Sequence, residues 1–205
     1  MPIPTQLPDV TFQPWQGQSY LTSAPRLMIV GESHWDWLGR TDVEACVTKN
    51  VVSRAIEQRA GFFAKIAALC LGEPPSNTEE REAFWESVSF YNYVQSFAGN
   101  APRVRPTRSM WRQSEPAFAV VLKELKPQLI VVLGRQNWEN MPELGGMAGE
   151  PLTTLGSPYA DTWLYPTDGG EYAPAFHVRH PSSWGFNFRK FVPLFNEARA
   201  RVTRN

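Results

Sequence analysis

A carboxylate, a hydroxyl, an imidazole and an indole occupy four consecutive positions, Glu32, Ser33, His34 and Trp35, immediately after Gly31. A carboxylate can position or deprotonate water, a hydroxyl can orient it, an imidazole exchanges a proton near neutral pH, and an indole stacks on flat rings. A second group of this kind lies far along the chain, at His177-Val178-Arg179-His180-Pro181-Ser182-Ser183. Between the two, Asn92 ends a short apolar run with an amide that both donates and accepts hydrogen bonds. If these segments meet over one hollow, they form a polar site suited to a flat heteroaromatic ring and a water.

The surrounding sequence says what must position them. Leu27-Met28-Ile29-Val30 is apolar on both faces, the mark of a central parallel strand, and its loop falls at the carboxyl end, where such sheets bind ligands. Thr41-Asp42-Val43-Glu44 reads as a capping box. Val43, Val47, Val51, Ala55 and Ile56 follow at helical spacing. Gly61 breaks this helix; Phe62, Phe63, Ile66, Leu69 and Cys70 continue the pattern, and Gly72 suits the C-terminal cap. Ser76-Asn77-Thr78-Glu79 opens a shorter helix, and Val88 to Tyr91 reads as a strand. The Pro- and Arg-rich stretch Gly99 to Arg112 reads as a loop, and Ser114-Glu115-Pro116 starts a helix that Pro127 ends. Leu129 to Leu133 is the clearest strand, with Gly134 turning it into a helix containing Trp138. Gly145 to Gly170 reads as irregular, with a short strand at Thr162 to Tyr165. Ala173 to Val178 reads as the last parallel strand, and Asn187 to Arg201 as a final helix kinked at Pro193. The Pro- and Gln-rich residues before Ser23 are expected to wrap the surface. Strands alternating with helices predict an α/β fold with a parallel sheet covered on both faces, in a single domain over residues 1–205.

Composition narrows the partners. Acidic and basic residues balance at 20 each, so attraction to nucleic acid must come from a local patch. Eight tryptophans and twelve phenylalanines serve either core packing or base stacking. Cys46 and Cys70 form no C-x-x-C pair, which argues against a zinc ribbon or an iron–sulfur cluster and for reduced thiols in a cytoplasmic protein. The N-terminus has no charged region leading an apolar run, and the longest apolar runs are strand-length, so neither a signal peptide nor a membrane span is expected.

The order strand–Gly31-Glu32-Ser33-His34-Trp35, strand–Asn92, helix–Lys126-Pro127–strand–Gly134 and strand–His180-Pro181-Ser182 resembles the uracil-DNA glycosylase superfamily over residues Leu27 to about Phe188. The resemblance implies a three-layer α/β/α fold with a central four-stranded parallel sheet. It further implies a DNA-repair hydrolase of N-glycosidic bonds acting on a damaged or deaminated base, monomeric and without a cofactor. The chain reads as a divergent member. Where the family often carries an Asp or Asn that handles the attacking water, this chain has Ser33; where it often carries Pro, it has His34. Trp35 falls where an aromatic residue often excludes thymine. The four cysteines of the iron–sulfur members are missing.

The resemblance assigns His180 to stabilising the leaving base, and Asn92, with Gly31, His34, Trp35 and Ser182, to binding it. Glu32 either holds water in place of the missing acid or shapes the loop; Ser33 can orient a water but is a poor base. Arg103, Arg105, Arg108 and Arg112, with Trp111, form a basic stretch that either contacts phosphates or is simply solvated. Trp184 and Phe186 either wedge into a base step or pack the last helix. Two other functions compete with glycosylase action: non-catalytic binding of a nucleotide or nucleic acid, and metal-assisted hydrolysis by His34, His177 and His180 with Glu32 or Asp36. The spacing of those ligand types matches no metal motif, and His177 reads as a strand residue with a satisfied hydrogen bond.

Overall fold

The computed structural model describes residues 6–36, 44–58, 60–167 and 170–204. In chain order they form β1 (Trp15–Gln16), β2 (Leu27–Gly31), α1 (Val47–Gln58), α2 (Gly61–Leu71), α3 (Thr78–Ser87), β3 (Val88–Asn92), α4 (Arg108–Gln113), α5 (Glu115–Leu125), β4 (Leu129–Leu133), α6 (Arg135–Glu139), β5 (Met147–Ala148), β6 (Thr162–Pro166), β7 (Tyr172–Val178) and α7 (Val192–Thr203). The strands make one mixed sheet in the order β1-β3-β2-β4-β7-β6-β5. Its central run β3-β2-β4-β7 is parallel; β1 pairs antiparallel at one edge, and β6 and β5 extend the other. The sheet is therefore larger than a purely parallel sheet of four strands. The additions are short or alternating, and they carry weaker signals than the apolar runs at the centre.

Side-chain alternation along each central strand builds the two faces. Leu27, Ile29, Leu129, Val131, Leu133, Phe176 and Val178 pack with residues of α1, α2, α3 and α7. Met28, Val30, Ile130, Val132, Ala173 and Ala175 pack with α5 and the N-terminal segment. Because both faces are covered, β2, β3 and β4 are buried along their whole length. The N-terminal segment is part of this packing: Leu7, Val10, Phe12 and Tyr20 are buried, which corrects the expectation of a surface wrap.

Helix boundaries follow local chemistry. Gly61 does separate α1 from α2, and Gly72 ends α2 in the left-handed conformation at φ 89°, donating to the Ala68 carbonyl. Asn77 caps α3 by accepting from the Glu80 N–H. Two expectations fail. The stretch from Gly99 to Arg112 is not all loop, because Thr107 caps α4 by accepting from Met110 N–H. Pro193 does not kink the last helix; it sits in the first turn of α7, where its missing N–H costs nothing, and a separate 3-10 turn spans Phe188–Lys190. Of the expected capping box Thr41-Asp42-Val43-Glu44, the first three residues lie outside the described residues.

Candidate functional site

β2, β3 and β7 end on the same rim of the sheet, so the loops after Gly31, Asn92 and Val178 emerge together. They surround a cavity of about 870 Å³ lined by Glu32, Ser33, His34, Trp35, Asn92, Arg103, Arg105, His180, Ser182 and Trp184. The two distant polar loops thus meet over one hollow, at the end of the parallel strands where α/β sheets bind ligands. Gly31 sits behind it: a Cβ there would overlap Asn92 Oδ1, so only glycine leaves room for the amide.

The first loop is held by main-chain bonds to the segment after β3. Tyr93 N–H donates to the Gly31 carbonyl at 3.0 Å, Val94 N–H to Glu32 at 2.9 Å, and Ala98 N–H to His34 at 3.0 Å. Asp36 N–H closes the series on the Gly99 carbonyl at 2.7 Å. Glu32 is placed by this ladder, and Arg105 Nη1 lies 3.0 Å from one of its carboxylate oxygens and 3.3 Å from the other. The side chain of Glu32 is 12% exposed against 64% for Arg105. Burial pushes the Glu32 carboxyl above its ordinary range, and the guanidinium partly offsets that. Arg105 therefore meets a protein carboxylate.

His34 faces inward. Its Nε2 lies 2.9 Å from Thr48 Oγ1, and Phe12 meets its ring edge-on at 5.1 Å. Burial drives its pKa down to about 3, so the ring is neutral and anchors the loop. The expected ligand contact through its ring nitrogens is replaced, at Nε2, by an internal one.

Asn92, buried at the end of β3, has its carbonyl held by Gln95 Nε2 at 2.9 Å. Gln95 is fixed in turn, with Oε1 accepting from Phe12 N–H at 2.9 Å. No hydrogen bond links the Asn92 amide to another described side chain, and its Oδ1 packs against Gly31.

The second loop is held by side chains from elsewhere. Lys65 Nζ of α2 donates to the Pro181 carbonyl at 2.9 Å, and Phe62 of α2 lies against the His180 ring at 5.4 Å and 32°. Gly134 closes the other side: at φ 100° it holds a conformation that favours glycine, and a Cβ there would lie 3.3 Å from His180 Cβ. Ser182 N–H donates to His180 Nδ1 at 3.2 Å. Since Nδ1 accepts, the proton of the neutral ring resides on Nε2. Burial, followed by Arg105, lowers the His180 pKa and keeps the ring neutral.

Phe62, Phe63, Phe90 and Arg54 also line the cavity. In the sequence the two α2 phenylalanines look only like a helix core stripe; the spacing carries no sign that one edge of the stripe faces a ligand. A second hollow of about 580 Å³ adjoins the first, sharing Glu32, Arg105, His180 and Ser183, and adds Arg135, His177, Arg179 and Lys190. His177 stacks on Trp138 at 5.4 Å, and its Nδ1 is buried without a partner, contrary to the expected satisfied hydrogen bond. Burial lowers its pKa.

Arg108 and Arg112 are not brought to the main cavity. They line a separate hollow of about 260 Å³ with Trp111 and Tyr93. Phe186 is packed, its ring stacked on Phe191 at 5.7 Å and 9°, so the wedge role is open to Trp184 alone. Among the described residues no group of three His, Cys, Asp or Glu side chains could hold a metal ion, so the ligand types of the two loops do not assemble into a metal centre. No described helix is long and apolar enough to cross a membrane. No protein-family model matches the chain, and no curated protein matches it.

Proposed function

We propose that the protein binds an extruded or unpaired nucleobase and cleaves its N-glycosidic bond, as the resemblance to uracil-DNA glycosylases implies. The observation that carries this reading is a His180 ring fixed as a neutral Nε2–H donor in the same cavity as the Asn92 amide and Phe62. Bond cleavage leaves negative charge on the departing base and positive charge on the sugar. A preorganised N–H aimed at the base oxygen stabilises the first without any proton having to move. The Asn92 amide can read a donor–acceptor edge, and the phenylalanine wall offers a flat apolar surface to the ring. Glu32 is the only carboxylate among the described lining residues, and it would hold the attacking water once its contact to Arg105 loosens.

Incubating excess protein with uracil- or hypoxanthine-containing oligonucleotides under single-turnover conditions tests this directly. Base release is expected. His180→Ala is expected to lower it by roughly 100-fold, the usual cost of removing one such donor, and Glu32→Gln by at least about tenfold. Wild-type rates in both variants would remove the site assignment.

One observation favours a second reading. Glu32 is already engaged by Arg105 through both carboxylate oxygens, and Ser33 occupies the position of the usual water-handling acid. A protein that binds the base without cleaving it would show no release, but would be stabilised against heating by uracil-containing strands over thymine-containing ones.

A further inference from the structure

We infer that this cavity takes its base from an unpaired strand rather than from a duplex, with Trp184 as the platform on which a neighbouring base stacks. The inference rests on the reading of the cavity as a nucleobase site. Trp184 is 94% exposed and Trp35 40% exposed, and both border the same mouth together with Val104, also 40% exposed. Solvent-exposed aromatic surface grouped at one opening marks an interaction surface. The turn that carries Trp184 is fixed: Ser183 N–H donates to the His180 carbonyl at 2.9 Å and Phe186 N–H to Ser183 at 3.1 Å. The backbone is set while the indole lies in solvent. A ring with no packing behind it can cover the face of an exposed base, but it lacks the support needed to hold a base step of a duplex open.

Charge leads to the same conclusion. Duplex binders draw their affinity largely from neutralising many phosphates on both strands. Here acidic and basic residues balance at 20 each, and two of the nearby arginines are spent on carboxylates, Arg105 on Glu32 and Arg135 on Glu139. Arg108 and Arg112 line a hollow that shares no residue with the main cavity. Among the described residues, Arg103 and Arg54 of the main cavity and Arg179 and Lys190 of the adjoining hollow form a basic track. A concave basic track beside exposed aromatic rings suits one backbone with its bases turned out, since stacking needs a free base face and a few cations suffice to follow one strand.

Fluorescence anisotropy with short labelled DNA tests this, using one uracil-containing strand alone and the same strand annealed to its complement. The single strand is expected to bind at least about tenfold more tightly. Trp184→Ala is expected to lose about tenfold on the single strand, and Trp184→Phe, which restores a stacking face, to recover most of it. Matching melting curves establish that the variants fold. Equal or tighter binding of the duplex, or unchanged binding by Trp184→Ala, overturns the inference. Its failure is separable from failure of the glycosylase reading. Release from duplex at the single-strand rate with no effect of Trp184→Ala removes the platform and keeps the site. Trp184-dependent single-strand binding with no release and no preference for uracil over thymine keeps the platform and removes the glycosylase.

Discussion

The two loops that meet at the cavity are fixed by different means. The loop after β2 continues the parallel pairing of its strand: Gly31, Glu32 and His34 accept from main-chain N–H groups following β3. The loop after β7 has no ladder to a neighbouring segment; it closes on itself through Ser183 N–H to the His180 carbonyl and is propped from outside by Lys65, Phe62 and Gly134. Main-chain pairing is part of the folding of the sheet, so the first loop forms with the core. Side-chain props can be removed singly, so the second loop can be loosened while the fold survives. Carboxylate placement is thus tied to stability, and histidine placement is tunable.

The sharpest way to break this contrast is Val94→Pro. The residue is fully buried and its N–H holds the Glu32 carbonyl at 2.9 Å. Proline removes that donor inside packed structure, and a stability loss of about 3 kcal/mol is expected in urea unfolding. A variant that kept wild-type stability and lost only activity would show that the first loop is no more integral than the second.

The anchor of the first loop should also show in the pH dependence of stability. His34 titrates near 3 when folded against 6.5 when exposed. Between those values the unfolded chain takes up a proton that the folded chain refuses, so stability falls as pH drops below 6.5. A loss of roughly 1–2 kcal/mol is expected by about pH 5. His34→Gln keeps a polar partner for Thr48 and should flatten this slope; the lowered pKa values of His177 and His180 act in the same direction and leave a residue of it. An unchanged slope in the variant would mean that His34 is not the titrating group.

On the second loop, Lys65→Met removes the bond to the Pro181 carbonyl while keeping an unbranched apolar stem. Base release is expected to fall about tenfold as His180 loses its aim, with less than about 1 kcal/mol lost in stability because the ammonium end lies near solvent. Comparable losses in stability and rate would put this loop in the same class as the first.

The same contrast explains what was legible in the sequence. Leu27 to Val30 and Leu129 to Leu133 announced central strands because burial on both faces forces continuous apolar runs, and Gly31 and Glu32 followed from where the first of them stops; Asn92, at the end of β3, and His180, after β7, were singled out by the resemblance. Arg105 read as either a phosphate ligand or a solvated residue because sequence separation hides its partner, 73 residues away. Lys65 and Phe62 were invisible for a related reason: a lysine and a phenylalanine on an amphipathic helix have the types that solvent and core would demand anyway, and only tertiary packing gives them a loop to hold. Asn92 and the N-terminal strand differ likewise. A strand-terminal Asn is marked by the apolar run before it, whereas Trp15–Gln16 is too short to carry a period.

Arg105, which contacts Glu32 and acts on His180 through its charge, couples the two loops, and it gives the smallest expected effect. Arg105 lowers the pKa of Glu32 by its charge and by hydrogen bonding, against the upward push of burial, and it also lowers that of His180. Arg105→Gln removes both influences. The Glu32 carboxyl then stays protonated to higher pH, so the acid limb of the base-release profile moves up, if Glu32 must be ionised to hold water. His180 also becomes easier to protonate, and a proton on Nδ1 would face the Ser182 N–H and release the ring, so this change moves the acid limb in the same direction. Because Arg105 is mostly exposed, the wild-type limb should itself move up with added salt, and that salt response should vanish in the variant. Wild-type and variant rates should converge at high pH, where Glu32 is ionised in both. A variant slower by the same factor at every pH would instead assign Arg105 to binding the strand, and the two loops would share a cavity without electrostatic coupling.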